Sequence, residues 1–280
     1  MTAAPAFDFH CHSLCSDGAL SPQALIELAA ERGLQQLAIT DHDTTAAYTR
    51  QLSDQATDAQ ITLVSGCELS CLWQRRSIHV VGLNIDLAHP VFVQAMGEQA
   101  QARDRRAEKI TAVLQRMGFS LELAHIQRIA GDGVVGRPHF AEYLVRTNQM
   151  PSMAAAFKRA LGAGKPGDIK AEWSALETVV GWISAAGGIA VVAHPLKYKM
   201  TLTKLRNLLT TFVEVGGQGM EVITGHQESN QTRTLADLAL RFELAASAGS
   251  DFHRPGQPWA ELGRARALPE QCTPIWQLWS

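Results

Sequence analysis

The stretch Ala6-Phe7-Asp8-Phe9-His10-Cys11-His12 is a short apolar run that ends in two histidines one residue apart. On extended backbone, residues i and i+2 point to the same side, so His10 and His12 can converge on one point. The same figure recurs along the chain. Apolar runs at Gln36–Ile39, Ile61–Ser65, Ile78–Leu83, Ile189–Ala193, Gly219–Ile223 and Leu244–Ser247 are rich in Val, Ile or Ala, and most turn polar immediately afterwards. Strands buried on both faces read this way. Between them lie amphipathic segments such as Ser21–Arg32, opened by an N-cap serine and first-turn proline and followed by Gly33 at the expected C-cap. Seven strands with intervening helices predict an α/β fold, a closed or nearly closed β/α barrel rather than an open sheet.

From Pro90 to Asp168 the strand pattern stops. Helices are expected at Pro90–Met117 and Leu121–Ile129, from Pro138 onward, and at Ser152–Leu161. The Gly/Pro-rich segment 162–167 then returns the chain to the barrel. The expected organisation is a barrel from residues 1–89 and 169–280, with residues 90–168 as a helical insertion capping the active-site end. The charged run Arg103, Asp104, Arg105, Arg106, Glu108 and Lys109 reads as a solvated helix face, the alternative being a track for an RNA backbone.

Composition narrows the function. With 280 residues, 46% hydrophobic, and a formal charge of −2, the chain can bury a large core but carries no whole-molecule attraction to nucleic acid. An anionic substrate must meet a local basic site, and duplex DNA is not an expected partner. No apolar run approaches ~18 residues and no signal peptide is evident, which predicts a cytoplasmic protein with no membrane partner. Five cysteines without a C-x-x-C pair argue for packed thiols over disulfides or a zinc ribbon.

The histidines and carboxylates fall where the strands end. After His10 and His12 comes Ser16-Asp17-Gly18. The second strand runs into Asp41-His42-Asp43, the third into Gly66-Cys67-Glu68, and His79 lies in the fourth. The fifth runs into His194-Pro195 and the last into Asp251-Phe252-His253. In a parallel barrel those ends share the rim where catalytic residues gather. Mixed imidazole and carboxylate ligands suit Mn, Fe or Zn. The set exceeds the needs of one ion. Two ions ~3.5–4 Å apart, bridged by Glu68 and a hydroxide, would hold an in-line nucleophile opposite a phosphoryl group.

His10-x-His12, Thr40-Asp41-His42-Asp43, Glu68, His79, His194-Pro195 and Asp251-x-His253 together resemble the PHP (polymerase and histidinol phosphatase) family. That resemblance implies a distorted seven-stranded (β/α)7 barrel and two to three divalent metal ions, Mn foremost. By motif, His10, His12, Glu68 and Asp251 would hold one ion, Glu68, His79 and His194 a second. Asp17, His42 and His253 would hold a third or contact the substrate phosphate. Gly136-Arg137-Pro138-His139 and Ser250-Asp251-Phe252-His253 are similar to the stand-alone branch with a helical insertion. That branch implies removal of the 3′-phosphate from nucleoside 3′,5′-bisphosphates such as pAp, or 5′-3′ trimming of short 5′-phosphorylated RNA. Histidinol-phosphate hydrolysis and a non-catalytic nucleotide-binding module are weaker readings. The expected partner is thus a small nucleotide or short RNA.

Glu68, Asp17, His42 and His226 are the catalytic candidates. Arg137 and His139 could clamp a second phosphate beside the helix start at Pro138, the alternative for Arg137 being a structural ion pair. Lys197 faces either the pocket or solvent. His226 is a candidate substrate contact or proton donor to the leaving group.

Overall fold

The computed structural model describes residues 6–170 and 172–279. Among them eight strands form: β1 (Phe7–Cys11), β2 (Gln36–Ile39), β3 (Thr62–Leu63), β4 (Gly66–Trp73), β5 (Arg76–Leu83), β6 (Ile189–Val192), β7 (Gly219–Thr224) and β8 (Ala245–Gly249). They make a parallel three-stranded sheet, β1-β2-β3, and a five-stranded sheet, β4-β5-β6-β7-β8. In the larger sheet β6, β7 and β8 run parallel, whereas β5 is antiparallel to both neighbours. Single bridges join the sheets, Cys11 with Phe252 beyond β8 and His42 beyond β2 with Glu68 in β4. Phe9, Ala38, Val81, Val191 and Ala245 meet in one buried cluster, so strands of both sheets share an interior.

Seven parallel strands in one barrel are therefore replaced by eight strands of mixed direction in two sheets. The unexpected strand is β4. Its residues alternate: Cys67, Leu69 and Cys71 enter the largest hydrophobic core, and Glu68 and Ser70 face the other way. Polar side chains on one face made it read as a loop. The turn to β5 is a two-residue hairpin with Gln74 and Arg75 both left-handed, at φ 44° and 63°. Such turns favour Asn or Gly, and neither is present to signal one.

The helices are α1 (Pro22–Glu31), α2 (Arg50–Asp58), α3 (Pro90–Arg116), α4 (Leu123–Ala130), α5 (Arg137–Arg146), α6 (Met153–Ala156), α7 (Leu176–Ala185), α8 (Leu202–Glu214) and α9 (Ser229–Arg241). Ser21 caps α1 by accepting the Ala24 N–H, with Pro22 behind it, and Gly33 follows the helix at φ 70°. The segment between β5 and β6 is helical as expected, and α6 continues as a π-turn, Phe157–Leu161. Ile110, Leu114, Ile126, Phe140, Leu144 and Leu161 give α3–α6 a hydrophobic cluster of their own. Among the described residues no helix is long and apolar enough to cross a membrane. All five cysteines are free thiols, and burial pushes those of Cys11, Cys67 and Cys71 well up.

One close approach holds the first histidine in place. A Cβ on Gly249 at the end of β8 would lie 2.3 Å from the His10 Cβ and 2.6 Å from its backbone nitrogen. Only glycine lets β8 lie this close to β1. Gly249→Ala should displace His10 and lower bound metal per chain more than Gly97→Ala, which has open space on an α3 surface. Equal metal content in the two purified variants would contradict this role.

Candidate metal centre and arginine cleft

Eight of the nine expected metal-ligand candidates lie within one connected cluster around the ninth, Glu68. Four overlapping groups bring ligand atoms within 4.8 Å of one another: His10, His12 and Asp251; His10, Glu68 and His194; His42, Glu68 and His79; and His12, Asp17, His42 and His253. No cysteine joins any of them. Most come from just beyond strand ends, but Glu68 and His79 do not. They sit inside the antiparallel hairpin, where Glu68 pairs with Val81 and Ser70 with His79. Residues directly opposite share a face, so Glu68, Ser70, His79 and Val81 all point to the interior. This corrects the expectation of a rim built only from parallel strand ends.

Glu68 is fully buried and divides its two oxygens between the groups. Oε1 lies 2.9 Å from His79 Nδ1 and 2.7 Å from His194 Nε2. Oε2 lies 2.8 Å from His42 Nδ1 and 3.4 Å from Nε2 of both His10 and His12. The His10 and His12 Nε2 atoms face each other at 3.1 Å and stand 3.5 and 3.2 Å from Asp251 Oδ1. Four ligands ~2.1 Å from a tetrahedral centre would sit ~3.4 Å apart. These separations fit an ion. So do the buried polar atoms that make no hydrogen bond, which include Glu68 Oε2, His12 Nδ1, His42 Nδ1, His194 Nδ1 and Asp17 Oδ1. In the fourth group Asp17 Oδ1 is 3.4 Å from His253 Nε2, and Asp17 Oδ2 is 3.9 Å from His42 Nε2.

The electrostatics follow from this crowding. Burial opposes ionisation of Glu68, but His79, His42, His10 and His194 around it hold its carboxyl well below the usual range. Burial, with His253 and His42 adjacent, pushes His12 down to about 3, so its imidazole is neutral and available as a ligand. Burial also disfavours charge on His253, yet the Asp17 carboxylate beside it raises its pKa to about 9.

A ring of buried carboxylates, of which Glu221 was unrecognised in the sequence, surrounds these candidate ligands. Glu221 in β7 accepts the His10 Nδ1–H at 2.5 Å and the His194 backbone N–H at 2.6 Å. Such a partner fixes the tautomer and turns Nε2 toward the centre. Asp8 accepts backbone N–H groups of Ser250 and Gly263, each at 2.8 Å, tying β1 to the segment after β8. Asp41 accepts from Ser13 and Ser16, and Asp43 from the Ser70 N–H, Gln99 and Arg103. Asp43, His194 and Asp251 are all left-handed, at φ 51°, 29° and 54°. Left-handed backbone at non-glycine residues is held in place by surrounding structure. The signal for Glu221 was an ionisable residue in the middle of the apolar run Gly219–Ile223.

A cleft of about 560 Å³ opens from the cluster toward the helices. Asp17, His42 and His79 line it together with Arg103, Arg106, Arg137 and Trp173. Arg103 and Arg106 are not a solvated face: they are buried. Arg103 grips Asp43 at 2.8 and 2.7 Å, and Arg106 Nε donates to the Ile169 carbonyl while its guanidinium lies over Trp173. Burial and the neighbouring Arg137 and Arg103 push the Arg106 pKa down to about 9. Of the three guanidiniums, Arg103 and Arg137 face carboxylates and Arg106 a carbonyl.

The expected substrate contacts divide. Arg137 lines the cleft and bonds Asp168 at 3.1 Å and the Leu161 carbonyl, the ion pair foreseen as the alternative to a phosphate contact. His139 is buried, its Nδ1 accepting the Gly136 N–H to cap α5, and it does not line the cleft. Lys197 pairs with Asp251, and with His226 lines a different cavity beside His194.

Comparison with known proteins agrees with this geometry. The PHP domain family model matches residues 8–172. The 5′-3′ exoribonuclease Rnm of Escherichia coli (strain K12) is 40% identical over 98% of this chain and 93% of its own. The 3′,5′-nucleoside bisphosphate phosphatase of Chromobacterium violaceum is 38% identical over 96% of this chain and 95% of its own. A Chromobacterium violaceum amidohydrolase structure with bound sulfate and no metal superposes with a TM-score of 0.88 at 38% identity, covering 97% of this chain and 95% of that one. With the family model spanning more than half the sequence and these relatives nearly all of it, the chain belongs to the PHP domain family.

Proposed function

We propose that this hydrolase of phosphate esters breaks the P–O3′ bond of a ribonucleotide whose 5′-phosphate sits among Arg103, Arg106 and Arg137. The observation that carries the reading is one cleft lined both by Asp17, His42 and His79 of the cluster and by three arginines. Residues 90–168 act as a cap in this reading, since α3 and α5 supply all three arginines. His10, His12, Glu68 and Asp251 would hold one divalent ion, Glu68, His79 and His194 a second, and Asp17, His42 and His253 a third. Such ions, Mn with Fe or Zn as alternatives, supply Lewis acidity and lower the pKa of a water. The chain's own contribution is orientation. Arg106 and Arg137 fix the 5′ end by charge-assisted hydrogen bonds, and the Glu221 and Asp8 networks hold the ligands.

The two activities named for the relatives break the same bond. In a nucleoside 3′,5′-bisphosphate the attacked phosphorus is a terminal monoester; in 5′-phosphorylated RNA it also carries O5′ of the next nucleotide. Water adds to phosphorus and the 3′-oxygen leaves with a proton in both cases, yielding a 5′-nucleotide. Histidinol phosphate fits less well, because its ammonium group would face the arginines.

Incubating Mn²⁺-loaded protein with pAp should yield 5′-AMP and phosphate; 3′-AMP would reverse the orientation. Arg106→Ala should raise KM for pAp roughly 10- to 100-fold, the size of one or two charge-assisted hydrogen bonds, with a smaller change in kcat. It should leave 3′-AMP hydrolysis unaltered, since that substrate has no 5′-phosphate to clamp. An equal penalty on both substrates would refute the clamp. Glu68→Gln should abolish turnover. Because His253, with its pKa near 9, is protonated at neutral pH, ions entering its group must displace that proton. Apparent affinity should therefore rise with pH up to about 9. Calorimetry in buffers of different ionisation enthalpy should register proton release, and an enthalpy independent of buffer would count against the assignment.

A further inference from the structure

The cavity beside His194 lies outside the arginine cleft and shares none of its lining residues. It measures about 500 Å³ and touches the metal-ligand cluster through His194, on a different flank from Asp17 and His42. Its polar lining combines Lys197 and His226 with neutral Thr224, Gln227 and Gln231. Lys197 offers three ammonium donors; one engages Asp251, and its side chain is about half exposed, leaving the others for an anion. The His226 ring is exposed and makes no hydrogen bond among the described residues.

An exposed tryptophan stands at the same place. Trp259 is 60% exposed, the most exposed of the large hydrophobic side chains. Its carbonyl accepts the His226 N–H at 2.7 Å, so the loop bearing it is fastened to the turn that bears His226. Gly225, at φ 57°, makes the contact possible: a Cβ there would come within 2.3 Å of the Trp259 carbonyl oxygen. Single-stranded nucleic acid is bound without sequence preference where exposed aromatics and basic groups share a surface. Bases stack on the ring, and cations take the backbone.

Given the P–O3′ cleavage proposed above, we infer that Lys197, His226 and Trp259 bind the nucleotide on the 3′ side of the attacked phosphate, so that the site takes RNA ends as well as mononucleotides. The attacked phosphorus lies at the cluster, the 5′-phosphate occupies the arginines on one flank, and the remaining strand leaves over His194 on the other. Water cleaves the P–O3′ bond, the first nucleotide departs as a 5′-monophosphate, and the shortened strand keeps the phosphate as its new 5′ end. That end is chemically the same as the one the arginines had held, so the strand can advance for another round.

The test compares kcat/KM on pAp and on the dinucleotide pApA for the Mn²⁺-loaded protein and its Trp259→Ala, Trp259→Phe and His226→Ala variants. Trp259→Ala should lower the pApA-to-pAp ratio about tenfold, Trp259→Phe should restore most of it, and His226→Ala should lower it too. Anisotropy of a 3′-fluorescein, 5′-phosphorylated tetraadenylate on metal-free protein should report a Kd about tenfold weaker for Trp259→Ala. An unchanged ratio with unchanged Kd would overturn the inference while leaving the cleavage reading intact. So would a wild-type protein that hydrolyses pAp but not pApA. Inactivity of the wild type on both substrates would sink the cleavage reading and this inference with it.

Discussion

Glu68 carries its charge at a point with no access to water, surrounded by His10, His12, His42, His79 and His194. Burying an ionised carboxylate is expensive unless opposite charge offsets it. Imidazoles can do so only by taking protons: burial opposes this throughout, yet neighbouring carboxylates raise His10 and His42, whereas His12 is pushed to about 3 and takes none near neutrality. A cation held among the same atoms offsets the cost for every member at once. The rest of the fold is arranged to keep that crowd together. The β4–β5 hairpin presents Glu68 and His79 on one face, and Gly249 lets β8 press against His10.

Holding so many ligands at fixed angles needs a second layer of carboxylates. Glu221, Asp8, Asp41 and Asp43 are all buried and all bonded to backbone N–H groups or to the ligands themselves. Asp43 also links the two functional regions. It accepts the Ser70 N–H in the hairpin beside His79 and grips Arg103 from α3. The position of the arginine cleft is thereby tied to the metal-ligand cluster through a single side chain. The left-handed backbone at Asp43, His194 and Asp251 is strain that these bonds sustain.

The ligands were legible because His, Asp and Glu stand out at the ends of apolar runs, and each run predicted a strand. The helical stretch 90–168 was legible from its period. What could not be read was the direction of β5 and the existence of β4, since a strand with Glu68 and Ser70 on one face looks polar until its partners are known. Arg103 and Arg106 were misread for a related reason. Within a charged run they looked solvated, although Gln99, Arg103, Arg106, Ile110 and Leu114 form one helical stripe, and that stripe is the buried face of α3. Glu221 was hidden by being alone among apolar residues, the same fact that should have marked it.

A chain with a formal charge of −2 cannot draw a nucleotide by its overall field. Its selectivity must come from placement. Arg103 pairs with Asp43 and Arg137 with Asp168, while Arg106 donates to the neutral Ile169 carbonyl, so a phosphate offsets its charge there. The metal-ligand cluster is the converse, rich in carboxylates and completed by cations. Placing an anion-seeking pocket and a cation-seeking pocket in one cleft measures the substrate as well as attracting it. In the function proposed above a phosphate reaches each end, so a molecule with two phosphates engages both. A nucleotide phosphorylated at O5′ and O3′ has that form whether its 3′-phosphate is terminal or continues into a strand. The choice between a mononucleotide and RNA then depends on what lies beyond the cluster, not on the chemistry within it.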